Sequence, residues 1–289
     1  SITVADCRVK GDIIGYGSND SQSSIGGIVG RVGTYGSIQN CCNEATIFDT
    51  ATSNGMYVAG ICGMPSDHHT VSNCVNRGDI TYTRKGYASI GGISGGTFNN
   101  ATIEYSYNTG TVSYTGPKLD AEVINIGGVC GAHLNGKIFY SFSTGGVEGG
   151  KATYKGSFSG QVASGTTADN CCVLQQSNLN AVGYDIPGNT TITVLENATD
   201  FSNGKAAYIL GGDWGQTLKG TQVDAYPVVG GPKIYRNGSE GNYTYDNLQL
   251  ITQSGTSYYQ LNNALELRFF ADPFNDSGNT LDTKDARLS

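Results

Sequence analysis

The sequence predicts an all-β fold, a parallel β-helix or β-solenoid of about five coils of ~33 residues, closed by a C-terminal cap and a small helix-containing terminal module. Three observations predict it. Two short phrases alternate along the first 172 residues, glycine is abundant but clustered, and charge is scarce.

The first phrase is a glycine strand. It reads Ile25-Gly26-Gly27-Ile28-Val29-Gly30, then Val58-Ala59-Gly60-Ile61-Cys62-Gly63, Ile90-Gly91-Gly92-Ile93-Ser94-Gly95 and Ile126-Gly127-Gly128-Val129-Cys130-Gly131, with a degenerate copy at Lys155-Gly156-Ser157-Phe158-Ser159-Gly160. The second phrase runs Ser37-Ile38-Gln39-Asn40-Cys41-Cys42-Asn43 and Thr70-Val71-Ser72-Asn73-Cys74-Val75-Asn76. Later copies around Ser106 and Ser141 exchange Cys for Ser. A half-copy at Asp6-Cys7 opens the series and Asp169-Asn170-Cys171-Cys172 closes it. From Cys7 through Cys41, Cys74, Ser106 and Ser141 to Cys171 the spacings are 34, 33, 32, 35 and 30 residues, so loops vary while phrases hold.

Composition agrees. Of 289 residues 43 are Gly and only 14% are charged, against roughly 7% and about 25% in an average globular chain. The glycines precede Ile or Val in short clusters without the every-third-residue spacing of collagen, which points to turns and tightly stacked strands.

Each copy offers three short β-rich runs separated by Gly, Asn or Ser, and one such run cannot bury its apolar side alone. Stacking copies along an axis places equivalent residues about 4.8 Å apart. The ladder Ile28, Ile61, Ile93, Val129 and Phe158 is then core, as are Ile38, Val71, Ile103, Ile138 and Ile13, Ile47, Ile80, Val112, Val147. Cys7, Cys41, Cys74, Ser106, Ser141 and Cys171 form a small-residue ladder, read as free thiols packing like small hydrophobes or, alternatively, as a redox or metal feature. Cys62 and Cys130 share another ladder two coils apart, too far for a bond.

These phrases resemble the GLUG motif, a glycine-rich surface-protein repeat, over residues 5–172, with Ile or Val in place of the usual Leu after the paired glycines and an eroded last copy. The resemblance implies a parallel β-solenoid in large secreted bacterial proteins, including adhesins and the non-catalytic N-terminal parts of some IgA-type peptidases. It supplies no catalytic residues and no cofactor. The localisation it implies is extracellular, at a bacterial cell surface.

After residue 172 the pattern changes. Ala198–Leu210 begins with a capping-type Thr-Asp pair and spaces apolar residues at helical intervals. Trp214-Gly215-Gln216 and Ala225-Tyr226-Pro227-Val228-Val229 are similar to segments that close a GLUG array, so residues 173–236 are expected to form a cap in which Trp214, the only Trp, seals the core. Residues 237–289 form a separate small module with an amphipathic helix at Leu261–Ala271 and an extended Asp285–Leu288. In the family such a helix and strand introduce a further array.

A net charge of −7 without a Lys/Arg cluster disfavours nucleic acid, and no apolar stretch approaches the ~20 residues needed for membrane insertion. Asp12 and Asp79 share a repeat position with Thr46 between them, about 9–10 Å apart, near the upper end for an inverting carboxylate pair but without a third polar group. Glu104 and Glu148 are isolated. His68 and His69 beside Asp67, with His133 two coils on, invite a metal only weakly, since no HxH, HExxH or CxxC spacing accompanies them. Seven Asn-x-Ser/Thr sequons, Asn189 and Asn197 among them, are what chance gives in such a chain.

The aromatic residues are more suggestive. Tyr105 and Tyr140, Tyr107 and Phe142, and Tyr82 and Tyr114 fall one above the other in the repeat register. They present flat surfaces to sugars or proteins, or else pack inward and stabilise the sheet by stacking. The expected function is therefore a non-catalytic structural and binding segment of a larger surface protein, an adhesin for host glycans or proteins. A carbohydrate-active β-helix enzyme and a spacer for a surface peptidase are the alternatives.

Overall fold

Every coil kinks at fixed places, and the kinks follow from residue type. In a computed structural model describing residues 2–15, 23–33, 35–49, 56–84, 86–117, 122–186, 189–237, 242–245, 249–253, 256–261 and 286–288, one repeat lays down five short strands. For the second copy these are Met56–Ala59, Cys62–Met64, Thr70–Ser72, Val75–Asn76 and Ile80–Tyr82. The three β-rich runs expected from the sequence become five strands because two of them are broken.

The break in the Asn-Cys phrase is a left-handed residue. Asp6, Asn40, Asn73, Tyr105, Tyr140 and Asn170 occupy one repeat position and have φ of 56°, 53°, 50°, 46°, 47° and 50°. Asn and Asp tolerate this region better than other non-glycine residues. In a regular strand, residues three apart point to opposite faces. The kink resets that phase, so Ile38 and Cys41 both enter the core.

Strands pair in parallel with their equivalents one coil away: Ile38 with Val71, Val71 with Ile103, and Ile103 with Ile138. The pairings Ile13–Ile47–Ile80–Val112–Val147 hold in the same way. The interior contains two apolar columns. One unites Ile61, Ile93, Val129 and Phe158 with Ile38, Val71, Ile103, Ile138 and the Cys ladder, with Ile28 packed against it. The other unites Val58, Ile90 and Ile126 with Ile47, Ile80, Val112 and Val147.

Between the phrases runs a buried amide ladder. Asn43 Nδ2 donates to Asn76 Oδ1 at 2.8 Å, Asn76 Nδ2 to Asn108 Oδ1 at 2.7 Å, and Asn108 Nδ2 to Ser143 Oγ at 3.3 Å. Each amide also caps the carbonyl two residues ahead, on Ala45, Gly78 or Gly110. This ladder explains the second glycine of the glycine strand. A Cβ at Gly60 or Gly92 would run into the Asn76 or Asn108 amide, and one at Gly128 into Ser143.

Stacking continues past the fifth copy: Val182–Asp185 pairs with Ser159–Val162, and Asn189–Leu195 with Thr167–Leu174. The Ala198–Leu210 segment is not one helix but a 3-10 turn, Ala198–Phe201, and a short α-helix, Lys205–Leu210. Gly204 at φ 91° separates them, and Asn203 Oδ1 accepts from Lys205 N at 3.0 Å as the helix cap.

The chain divides into two compact units, residues 1–201 with 209–212, and residues 202–208 with 213–289. In the second, Trp214 is buried and the strand Trp214–Gly215 pairs antiparallel with Val228–Val229. Ile234–Asn237 pairs with Asn242–Tyr245, and Gln249–Gln253 with Thr256–Leu261, along which Ala286–Leu288 runs in parallel. The helix expected over Leu261–Ala271 lies outside the described residues apart from its first position.

Candidate functional site

Six of the eight cysteines, Cys41, Cys62, Cys74, Cys130, Cys171 and Cys172, are buried. Cys41, Cys74 and Cys171 each donate to the carbonyl two residues back at 3.0–3.2 Å. Ser106 and Ser141 make the same bond at 2.8 and 2.7 Å, which is why Ser replaces Cys there. All eight cysteines are free thiols. Burial pushes Cys62, Cys74, Cys130 and Cys171 up to about 12, so they stay protonated and unreactive at neutral pH. Ser94 separates Cys62 from Cys130 in the register.

Ser94 also completes Gly92-Ile93-Ser94-Gly95-Gly96, a G-x-S-x-G spacing. Its hydroxyl is buried in the sheet and donates to Gly96 O at 3.1 Å, so it is no exposed nucleophile elbow.

His133 is equally committed. Its Nδ1 lies 2.7 Å from Thr97 Oγ1 and its Nε2 3.1 Å from Thr167 O, which fits a neutral ring donating from Nε2. Desolvation lowers its pKa to about 4. His68 stacks on Tyr35 at the surface, while His69 is buried. Among the described residues no three His, Cys, Asp or Glu side chains gather as metal ligands. Asp12 and Asp79 are both exposed, and Asp79 accepts from Thr111 N of the next coil at 2.7 Å. Glu148 accepts from Ser113 Oγ. Glu44 gathers Arg8, Lys10 and Arg77, and the hydrogen bond from Arg8 leads in holding its carboxyl down at about 2.

The three aromatic pairs stack. Centroids are 4.8 Å apart for Tyr105–Tyr140, 4.6 Å for Tyr107–Phe142 and 6.0 Å for Tyr82–Tyr114. Three of the six rings offer no face to a ligand. Tyr82, Tyr114 and Phe142 are at most 1% exposed, and Phe142 packs 5.5 Å from Phe201. Tyr114 Oη donates to Pro117 O at 2.7 Å. Tyr105, Tyr107 and Tyr140 are half-buried.

A concave site lies elsewhere, on the outer side of the first glycine-phrase strands. Tyr57, Ser89, Asn125 and Tyr154 hold one register position in four successive coils. Their chain neighbours Val58, Ile90 and Ile126 enter the core, so period-two alternation turns this row outward. With Tyr87 and Gln161 the row lines a cavity of about 340 Å³. The sequence reading aligned the glycine phrases, and so already contained this row. It was missed because its four residues share no type.

The match to known families falls on the first full coil. The family model of the GLUG motif covers residues 21–47, from the glycine strand through the Asn-Cys phrase to Ile47. The chain carries the GLUG motif. The kink recurs through the later coils, and the parallel solenoid is the fold the resemblance implied. No curated protein and no solved structure matches the chain significantly.

Proposed function

We propose that this chain is a non-catalytic structural and binding segment of a bacterial cell-surface protein, an adhesin displayed outside the cell as part of a larger chain and directed at host glycans or proteins. One observation carries the reading. In-register stacking spends the thiols, the amide ladder and His133 on holding coils together, and repeats outward positions coil after coil as one continuous face. Such a face suits adhesion, where many weak contacts spread along a rigid rod are useful. Among the described residues no helix is long and apolar enough to cross a membrane, which suits display by other parts of a longer protein.

Screening the purified chain against arrayed glycans and immobilised host matrix proteins tests the reading. Selective binding to a glycan or matrix protein is expected. Absence of any binding would reduce the segment to a spacer.

A further inference from the structure

The outward row described above is a built site. At one end the Tyr57 ring meets Phe98 edge-on, with centroids 5.3 Å apart and planes at 87°. Gly96 makes this possible, because a Cβ there would press on both rings. At the other end Tyr154 stacks on Tyr184 at 4.5 Å and 20°. Three strand spacings, about 14 Å, separate the two ends.

Between them lie Ser89 and Asn125, only 6% and 7% exposed. Asn125 Nδ2 donates to Ser89 Oγ at 3.2 Å, while Asn125 Oδ1 is buried and has no hydrogen-bond partner. Whichever way the amide is turned, Ser89 satisfies one end and the other is left over. Buried polar atoms rarely stay unpaired, and this one lines a cavity whose volume, about 340 Å³, is that of a small-ligand cleft.

From this geometry we infer that the Tyr57–Tyr154 groove binds a neutral oligosaccharide, with ring faces of the sugar on the tyrosines and a sugar hydroxyl on the Asn125 amide. The inference rests on the adhesin reading and names the ligand class and place. Aromatic faces take the C–H faces of pyranose rings, and amide and hydroxyl groups fix orientation by pairing with sugar hydroxyls. Gln161 supplies a second amide at the edge. Charge selects the neutral class: among the described residues no Asp, Glu, Lys or Arg lines the groove, and the net charge of −7 repels acidic sugars.

Calorimetric titration of the whole chain with cellotriose, maltotriose, mannotriose and chitotriose, and with trigalacturonate as the acidic counterpart, tests this. At least one neutral trisaccharide is expected to bind, with trigalacturonate at least about tenfold weaker. Asn125→Ala is expected to weaken binding about tenfold, Tyr57→Ala to abolish it, and Tyr57→Phe to keep it. Melting temperatures of the variants separate lost contacts from lost fold, and Asn125→Ala carries the test if Tyr57→Ala does not fold. No binding of any neutral trisaccharide, equal binding of trigalacturonate, or binding indifferent to Asn125→Ala overturns the inference. If glycan or matrix binding persists in that last case, the groove assignment fails while the adhesin reading stands.

Discussion

At the scale of single residues, the repeat is held by side chains that satisfy themselves and the next coil at once. Asn76 donates to Gly78 O and Asn108 and accepts from Asn43, with no exposure to water. Asn76→Ala therefore strands three buried groups, and a loss of about 3 kcal/mol is expected in urea unfolding. Cys74→Ser should behave oppositely. Ser106 and Ser141 already fill the equivalent position with the same bond to the carbonyl two residues back, so the change is expected to stay within about 1 kcal/mol in the same measurement. The sequence showed the Cys/Ser exchange without its cause. Periodicity placed Ile61, Ile93, Cys41 and Cys74 inside, because burial alone decides those positions. It gave the repeated Asn no role, because a buried amide is stable only with a partner on the next coil, and pairing is invisible until the register is known.

Among elements, the left-handed kink decides the shape of each coil. Three β-runs per repeat are legible in the sequence, but the five strands they become are not, because Asn at Asn40 and Asn73 reads equally well as a turn or as a strand edge. Tyr105 and Tyr140 in the same conformation hid the pattern further, as bulky residues seldom adopt positive φ. Asn73 tests the kink. Its Nδ2 donates to Asn40 Oδ1 at 2.8 Å along an exposed edge. Asn73→Gly keeps the conformation and is expected to lose less than about 1 kcal/mol, whereas Asn73→Val adds left-handed strain to the lost bond and should cost about 2 kcal/mol more. Equal melting temperatures for the two variants would mean that the kink is imposed by the stack rather than by the residue. Further along, the split of Ala198–Leu210 at Gly204 was foreseeable from the glycine itself, which interrupts an otherwise helical spacing.

For the first unit as a whole, burying so many titratable groups makes stability a function of pH on both sides of neutrality. The outer groove escapes composition, because its row mixes Tyr57, Ser89, Asn125 and Tyr154. His133 sets the acid limb. Its folded pKa is lowered to about 4 by desolvation, below the ordinary 6.5 of an unfolded His, so between these values the unfolded chain holds a proton that the folded chain refuses. Stability is present above pH 6.5 and falls as pH drops towards 4, by roughly 3 kcal/mol from this group. The thiols set the alkaline limb with the opposite sign. Cys62, Cys74, Cys130 and Cys171 keep their protons up to about 12 when folded but release them near the ordinary value of 9 when unfolded. Stability therefore falls as pH rises from 9, by up to about 1.4 kcal/mol per pH unit for each thiol. Urea midpoints measured from pH 4 to 10 should trace a plateau between about 6.5 and 9 with losses on either side. His133→Asn should flatten the acid limb while leaving the alkaline one, and Cys74→Ser should shorten only the alkaline limb. An acid limb that survives His133→Asn unchanged would overturn the assignment to His133, and Glu44 could not supply it, because a carboxyl held at about 2 by Arg8 loses its contribution only as pH falls below the ordinary value of 4.5.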